Sequence, residues 1–153
     1  MPDIHPHYLE AHKCLQDGKT ILYPTDTIWG IGCDATNETA VDKVFDIKKR
    51  PKEKSLIILV DAVEMLKKYV TISDETEALI NSFEIPTTVI YSNPTGLAAN
   101  VLNNDKSIAI RIVNHAFCRR LIRDSGKPIV STSANISGEK NPVSFDEISD
   151  QIK

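Results

Sequence analysis

Apolar and polar positions along the chain switch between a helical period and a strand period. From His7 to Asp17 the apolar residues Tyr8, Ala11 and Leu15 fall on one face, and Gly18 stops the run, which predicts a first helix. Thr20 to Tyr23 is a short β-prone run ended by Pro24. Asn37 offers an N-cap to a second helix in which Val41, Val44, Phe45 and Lys48 recur at helical spacing, so that its end delivers Lys48, Lys49 and Arg50 to Pro51. Ser55 to Val60, SLIILV, is a continuous apolar run that reads as a strand buried on both faces. Asp61 with Glu64 forms a capping-box pattern ahead of Val63, Leu66 and Val70, and a second capped helix is predicted from Ser73 to Ser82. Thr87 to Tyr91 reads as a strand broken by Asn93, Pro94 and Gly96. Ser107 to Ile112 is another strand, followed by the helical AFCRRLIRDSG, and Ile129 to Thr132 is a last short strand. Ser144 and Glu147 form a capping box for a final helix.

Strands that alternate with helices predict one α/β domain with a mixed sheet and flanking helices. No repeat, low-complexity segment or linker divides the 153 residues, which are enough to bury a sizeable core without disulfides or metals. Composition changes this picture little: 41% hydrophobic and 25% charged residues describe an ordinary globular chain. A formal net charge of -3 argues against a sequence-independent nucleic-acid binder, whose surface is basic throughout. Basic character is instead local, since five of the seven residues from Lys48 to Lys54 are Lys or Arg. Cys14, Cys33 and Cys118 are odd in number and lack CxxC pairing, which favours reduced thiols in a cytoplasmic compartment. No apolar run reaches membrane-spanning length, and the polar N-terminus does not read as a signal peptide. His5, His7 and His12 lack a carboxylate or thiol partner, so no metal site is expected from them.

Three polar clusters fall where a strand or helix gives way to loop: Thr25 to Thr27, Lys48 to Arg50 and Ser131 to Ser137. Ends of this kind converge on ligand crevices in α/β domains. The inventory is rich in donors and cations, a mixture suited to phosphate, because Arg supplies a planar fork and Lys a point charge. His115 and Asp26 are the only plausible acid-base groups in these segments. No GxSxG, Walker or GxGxxG pattern occurs, which disfavours a covalent mechanism and the standard nucleotide loops. The plainer readings are a solvated helix end for the basic run, ordinary turn chemistry for the hydroxyl clusters, and a core or wall aromatic for Trp29.

Four stretches, YPTDTIWGIGCDA, IKKRP leading into KSLIIL, AIRIVNH and IVSTSANISG, occur in one collinear order between Lys19 and Gly138. Together they resemble the YrdC-type threonylcarbamoyl-AMP synthase family in its short, single-domain bacterial form. The resemblance implies a YrdC-like twisted sheet with a concave basic groove, and an enzyme that joins L-threonine, bicarbonate or CO2, and ATP into threonylcarbamoyl-adenylate with release of pyrophosphate. That product feeds N6-threonylcarbamoyladenosine (t6A) formation in tRNA, which implies downstream t6A-completing enzymes and the possibility of RNA contact. By the same resemblance Lys48, Arg50, Ser133 and Asn135 serve the nucleotide, Lys48 and Arg50 being the catalytic pair. Thr25, Thr27, Trp29, Arg111 and His115 line the threonine pocket. Mg2+ is expected to arrive with ATP. Adenylation needs in-line positioning and neutralised phosphate charge more than a nucleophilic side chain, which agrees with the inventory.

The chain departs from the family in two places. The WPGPxT stretch is here FEIPTT, which keeps Pro86 and Thr88 but not the tryptophan or glycine. The chain also stops before a serine- or threonine-bearing segment that follows in the family, so the sequence reads as one YrdC-like domain over 1-153 lacking that segment, with weak turnover expected. The rival reading is a non-catalytic RNA- or nucleotide-binding paralogue with a regulatory role. Carbamoyl-adenylate handling, as in larger hydrogenase-maturation proteins, is disfavoured because no accompanying domains are present.

Overall fold

The computed structural model describes residues 8–23, 29–48, 56–85, 87–102 and 105–133. Helix α1 (Tyr8–Gln16) leads into strand β1 (Ile21–Tyr23), and Gly18 takes the left-handed φ of 74° that ends the helix. Strand β2 (Gly30–Gly32) precedes α2 (Glu38–Lys48), whose first turn is capped as expected: the Asn37 side-chain oxygen accepts from the Ala40 N–H at 3.1 Å. Next come β3 (Ile57–Val60), the single turn α3 (Val63–Leu66), and α4 (Asp74–Asn81), where the Ser73 hydroxyl accepts from the Thr76 N–H at 3.1 Å. Strand β4 (Thr88–Ser92), a short 3-10 turn at Ala99–Val101, β5 (Ser107–Ile112), α5 (Ala116–Ser125) and β6 (Ile129–Ser133) complete the described elements.

Five of these strands coincide with the runs read from the sequence. Strand β2 does not, because GIG has little strand propensity, and its pairing is decided by neighbours on both sides. The Asp61 capping box is also corrected. Helix α3 is only four residues long and has Ala62 as N-cap without a side-chain cap, while the Asp61 carboxylate lies 3.4 Å from Arg123 Nε on α5. An ion pair to a neighbouring helix outcompetes local capping here. The predicted helix after Ser144 lies outside the described residues.

The six strands form one mixed sheet in the order β1-β2-β6-β3-β5-β4. Only the β3–β5 pair is parallel; the other four pairs are antiparallel. Registers set which residues share a face, since paired residues project the same way and neighbours along a strand alternate. One face carries Val130, Ile58, Val60, Ile108 and Ile110, none more than 2% exposed. The opposite face carries Tyr23, Gly30, Gly32, Ser131, Ile57, Leu59, Ala109, Arg111, Thr88 and Ile90. Part of that second face is open: Ile57 is 37% and Ile90 70% exposed, and Ala109 and Ser131 are half-buried. SLIILV is therefore buried on both faces only from Ile58 onward, and its first strand residue faces solvent.

Helices α1 and α5 lock together at one corner. The Tyr8 ring meets Phe117 edge-on at 5.9 Å and carries the Arg120 guanidinium at 5.1 Å from its centroid. Its hydroxyl donates to the Arg120 carbonyl at 3.2 Å and also hydrogen-bonds the Asp124 carboxylate. Burial and that carboxylate push the Tyr8 phenol up to about 12.

Candidate active site on the open sheet face

The antiparallel and parallel pairings determine which strand ends meet. Strand β1 ends at Tyr23, β2 begins at Gly30, β6 ends at Ser133 and β3 begins at Ile57, and the registers put all four at one edge of the sheet. These are the termini that border the segments holding Thr25, Thr27, Arg50 and Asn135, which themselves lie outside the described residues. Trp29, half-buried, stands one residue before β2 at the same edge. Ser133 is placed by its backbone, which pairs with Gly30. Beside this edge lies the open part of the face, around Ile57, Ala109 and Ser131.

Arg111 occupies the same face on β5, buried to 8% exposure, with Leu59 on one side and Thr88 on the other. Thr88, the position retained in FEIPTT, is thus the cross-strand neighbour of Arg111. Lys48 closes α2 and is 1% exposed, so the first residue of the basic run is not a solvated helix-end charge. Removing an ammonium from water is costly unless its charge is answered within the fold, and a helix C-terminus supplies part of the answer. His115 falls elsewhere. It follows the far end of β5 as the N-cap residue of α5, half-buried, and its Nδ1 is buried with no hydrogen-bond partner among the described residues.

Tyr23 lies buried on this face at the end of β1. Its hydroxyl crosses β2 and donates to the Val130 carbonyl on β6 at 2.9 Å. That crossing requires glycine beneath the ring: a Cβ on Gly32 would lie 2.2 Å from the Val130 oxygen and 2.7 Å from Tyr23 Cε1. A Cβ on Gly30 would lie 3.4 Å from Ser131 Oγ and 3.5 Å from Tyr23 Cζ, so the serine hydroxyl and the phenol gather over the same backbone. Burial raises the Tyr23 phenol far above its ordinary value, while a hydrogen bond from Ser131 and the positive charge of Arg111 act in the opposite direction. Tyr23, Ser131 and Arg111 are therefore one electrostatic group on one face. Sequence reading passed over Tyr23 and the two glycines; their signal was the period-two GIG directly after a polar turn, which marks backbone that something crosses closely.

On the opposite face, a cavity of about 470 Å³ lies between the β4–β5 edge, Ile80 and Asn81 of α4, and Arg119 of α5. Phe83, Glu84, Ile85 and Thr87 also line it, so four described residues of the divergent FEIPTT stretch border this cavity, while Thr88 joins the Arg111 face. Among the described residues no group of three His, Cys, Asp or Glu side chains is arranged to hold a metal, and no helix is long and apolar enough to cross a membrane.

A mixed open sheet that gathers four strand ends at one edge, beside a polar, partly uncovered face with a buried arginine, defines a small-molecule-binding α/β domain. The family model described as Telomere recombination, which covers Sua5, YciO and YrdC, matches residues 13–153, and the chain belongs to that family. It is 37% identical over 146 residues to the threonylcarbamoyl-AMP synthase of Pseudoalteromonas translucida, an alignment that covers 93% of this chain and 78% of that protein. The structure of P. abyssi Sua5 complexed with L-threonine superposes with a TM-score of 0.85 at 30% identity, over 92% of this chain and 42% of that one. Full-length HypF in its phosphate- and nucleotide-bound form superposes with a TM-score of 0.81 at 25% identity, over 93% of this chain and 22% of HypF. This chain thus spans less than half of either solved relative.

Proposed function

We propose that this protein is an L-threonylcarbamoyladenylate synthase acting in t6A formation. The amine of L-threonine attacks the carbon of bicarbonate, water leaves, and an oxygen of the resulting carbamate attacks the α-phosphorus of ATP, expelling pyrophosphate. The observation that carries this reading is the meeting of the β1, β2, β3 and β6 ends beside the open half-face of Arg111 and Ser131, in a chain 37% identical to a named synthase. Resemblance to a Sua5 bound to L-threonine and to a nucleotide-bound HypF supports the two kinds of ligand.

In this reading Lys48, Arg50, Ser133 and Asn135 hold the nucleotide, with Lys48 and Arg50 answering the charge that develops on the phosphates. Arg111 takes the threonine carboxylate, and Thr25, Thr27 and Trp29 complete the amino-acid side; His115, beyond the far end of β5, is given no contact in this reading. Mg2+ would arrive with ATP and not through a protein cage of its own, and would supply charge neutralisation at the phosphates that Lys48 and Arg50 are proposed to hold. The enzyme is cytoplasmic and hands its product to t6A-completing enzymes; direct tRNA contact belongs to the same proposal.

The test is pyrophosphate release with each of threonine, bicarbonate and ATP omitted in turn. Release that needs all three supports the synthase. RNA binding that weakens steeply with salt, without turnover, would replace it with the non-catalytic paralogue.

A further inference from the structure

We infer that β4 is a self-association edge: two copies of this chain pair their β4 strands antiparallel about Ile90 and join their sheets into one. The inference stands apart from the synthase reading and concerns a different border of the sheet.

Among the described residues β4 is an end strand of the sheet. One backbone bond fixes which of its groups point outward. The Asn93 N–H donates to the Lys106 carbonyl at 3.0 Å, which makes these two a hydrogen-bonded pair continuing the β4–β5 register. Bonded pairs alternate along an antiparallel ladder, so Tyr91 and Val89 also bond β5, while Thr88, Ile90 and Ser92 aim their N–H and C=O groups away from it. Soluble proteins guard such an edge with lysine, proline or a bulge. Thr88–Ser92 has none of these: TVIYS carries no charge, and its register runs unbroken.

The outward residues match a second copy of themselves. A two-fold axis at Ile90 sets Ile90 opposite its own counterpart and Thr88 opposite Ser92, and every one of these pairs can exchange both main-chain bonds. Sliding the register by two residues either way sets Ser92 opposite Pro86 or Thr88 opposite Pro94, neither of which has an N–H to give. The flanking prolines thus select the register centred on Ile90, and that symmetry selects a copy of the chain over a foreign strand. Side chains agree with it. On the open face Ile90, 70% exposed in the single chain, covers its counterpart across the axis. On the other face Val89 meets Tyr91 of the second copy, an aromatic and β-branched pair of the kind that stabilises antiparallel ladders. That face also carries the cavity of about 470 Å³, lined in part by Val89, Tyr91, Phe83 and Ile85, of which Ile85 is 74% exposed. Pairing brings Tyr91 of the second copy beside the Val89 wall and withdraws apolar surface there from water.

The experiment combines sedimentation of the whole chain over a concentration series with cysteine cross-linking. Monomer should give way to a species of twice the mass as concentration rises. Ile90→Lys, which opposes two like charges at the axis, should abolish that species and leave the melting temperature of the dilute monomer unchanged, since the side chain is exposed there. Ile90→Cys should form an intermolecular disulfide on mild oxidation, because Cα atoms of a bonded antiparallel pair lie about 5.5 Å apart, within disulfide reach. Thr88→Cys alone should not cross-link, but an equal mixture of Thr88→Cys and Ser92→Cys should. The unsubstituted chain, with Cys14, Cys33 and Cys118, is the blank. Monomer at every concentration would overturn the inference, as would a dimer that survives Ile90→Lys or equal cross-linking of Ile90→Cys and Thr88→Cys. A thiol introduced at position 90 that resists alkylation in the dilute monomer would also overturn it, by showing the edge covered within the chain itself.

Discussion

The hydroxyl of Tyr23 on β1 reaches the carbonyl of Val130 on β6 at 2.9 Å although β2 lies between the two strands. The bond is possible because the intervening strand presents Gly30 and Gly32 to the ring. It ties the end of β1 to the centre of the sheet at the edge where the candidate site begins.

Gly32→Ala should therefore be among the most damaging single-methyl additions in the protein. The new Cβ would meet backbone oxygen at 2.2 Å, and neither that carbonyl nor the clamped ring has room to withdraw. A loss of about 2 to 4 kcal/mol in denaturant unfolding is expected. Gly126→Ala serves as the comparison: it has no atom within 4 Å, and only its φ of 72° penalises a side chain, at about 1 kcal/mol. Equal losses for the two variants would show that the crossing is not under steric constraint.

Two lysines on α2 differ in burial, and the proposed nucleotide role falls on the buried one. Lys48→Met is expected to lower ATP affinity about tenfold or more, because Lys48 is buried at the helix end that leads into the basic run. Lys43→Met, which removes an exposed contact to the Gly18 carbonyl at 3.3 Å, should change ATP affinity less than twofold and stability by less than about 0.5 kcal/mol. Titration calorimetry and melting curves of both variants check this. Similar ATP affinities for the two would return the basic run to ordinary surface chemistry.

Arg111 should not be replaceable by lysine. Its guanidinium is buried on the open face next to Thr88, and a carboxylate held by a planar fork loses one of two bonds when only an ammonium remains. Threonine affinity is expected to fall by about 1 to 3 kcal/mol in Arg111→Lys, with ATP affinity little changed. A lysine variant with native threonine binding would remove the bidentate contact from the pocket.

Buried acids make the fold sensitive to alkali. Burial lifts the Cys33 thiol from its ordinary 9.0 to about 12. A group whose folded pKa is raised contributes stability that is complete below the unfolded value and is lost as pH rises through the folded one. Stability should thus hold to about pH 9 and decline toward pH 12, with Cys33 accounting for on the order of 3 to 5 kcal/mol of the decline. Tyr8 acts in the same direction between its ordinary 10.0 and about 12. Urea unfolding across this range should show a shallower slope for Cys33→Ala than for the native chain. Identical slopes would mean that the thiol ionises in the folded protein as freely as in the unfolded one.

Helical periodicity located α1, α2 and α5 without tertiary information, because an amphipathic helix writes its buried stripe into sequence at a spacing fixed by its own geometry. The Asn37 and Ser73 caps were legible for the same reason, each being a contact between residues three apart. Strands rich in Ile and Val were visible as apolar runs, and the collinear motifs pointed to the family. What sequence could not supply was strand order and register. Strand β2 exists because β1 and β6 hold it from either side, and its glycines are explained only by the tyrosine that crosses them. Register alone puts Ser131 and Arg111 on one partly open face, sends His115 beyond the other end of β5, and buries Asp61 against Arg123 instead of leaving it to cap α3. Spacing along a chain records the local repeat of a helix or strand; which face of a strand meets water depends on pairing partners distant in sequence, and that choice is made only when the sheet assembles.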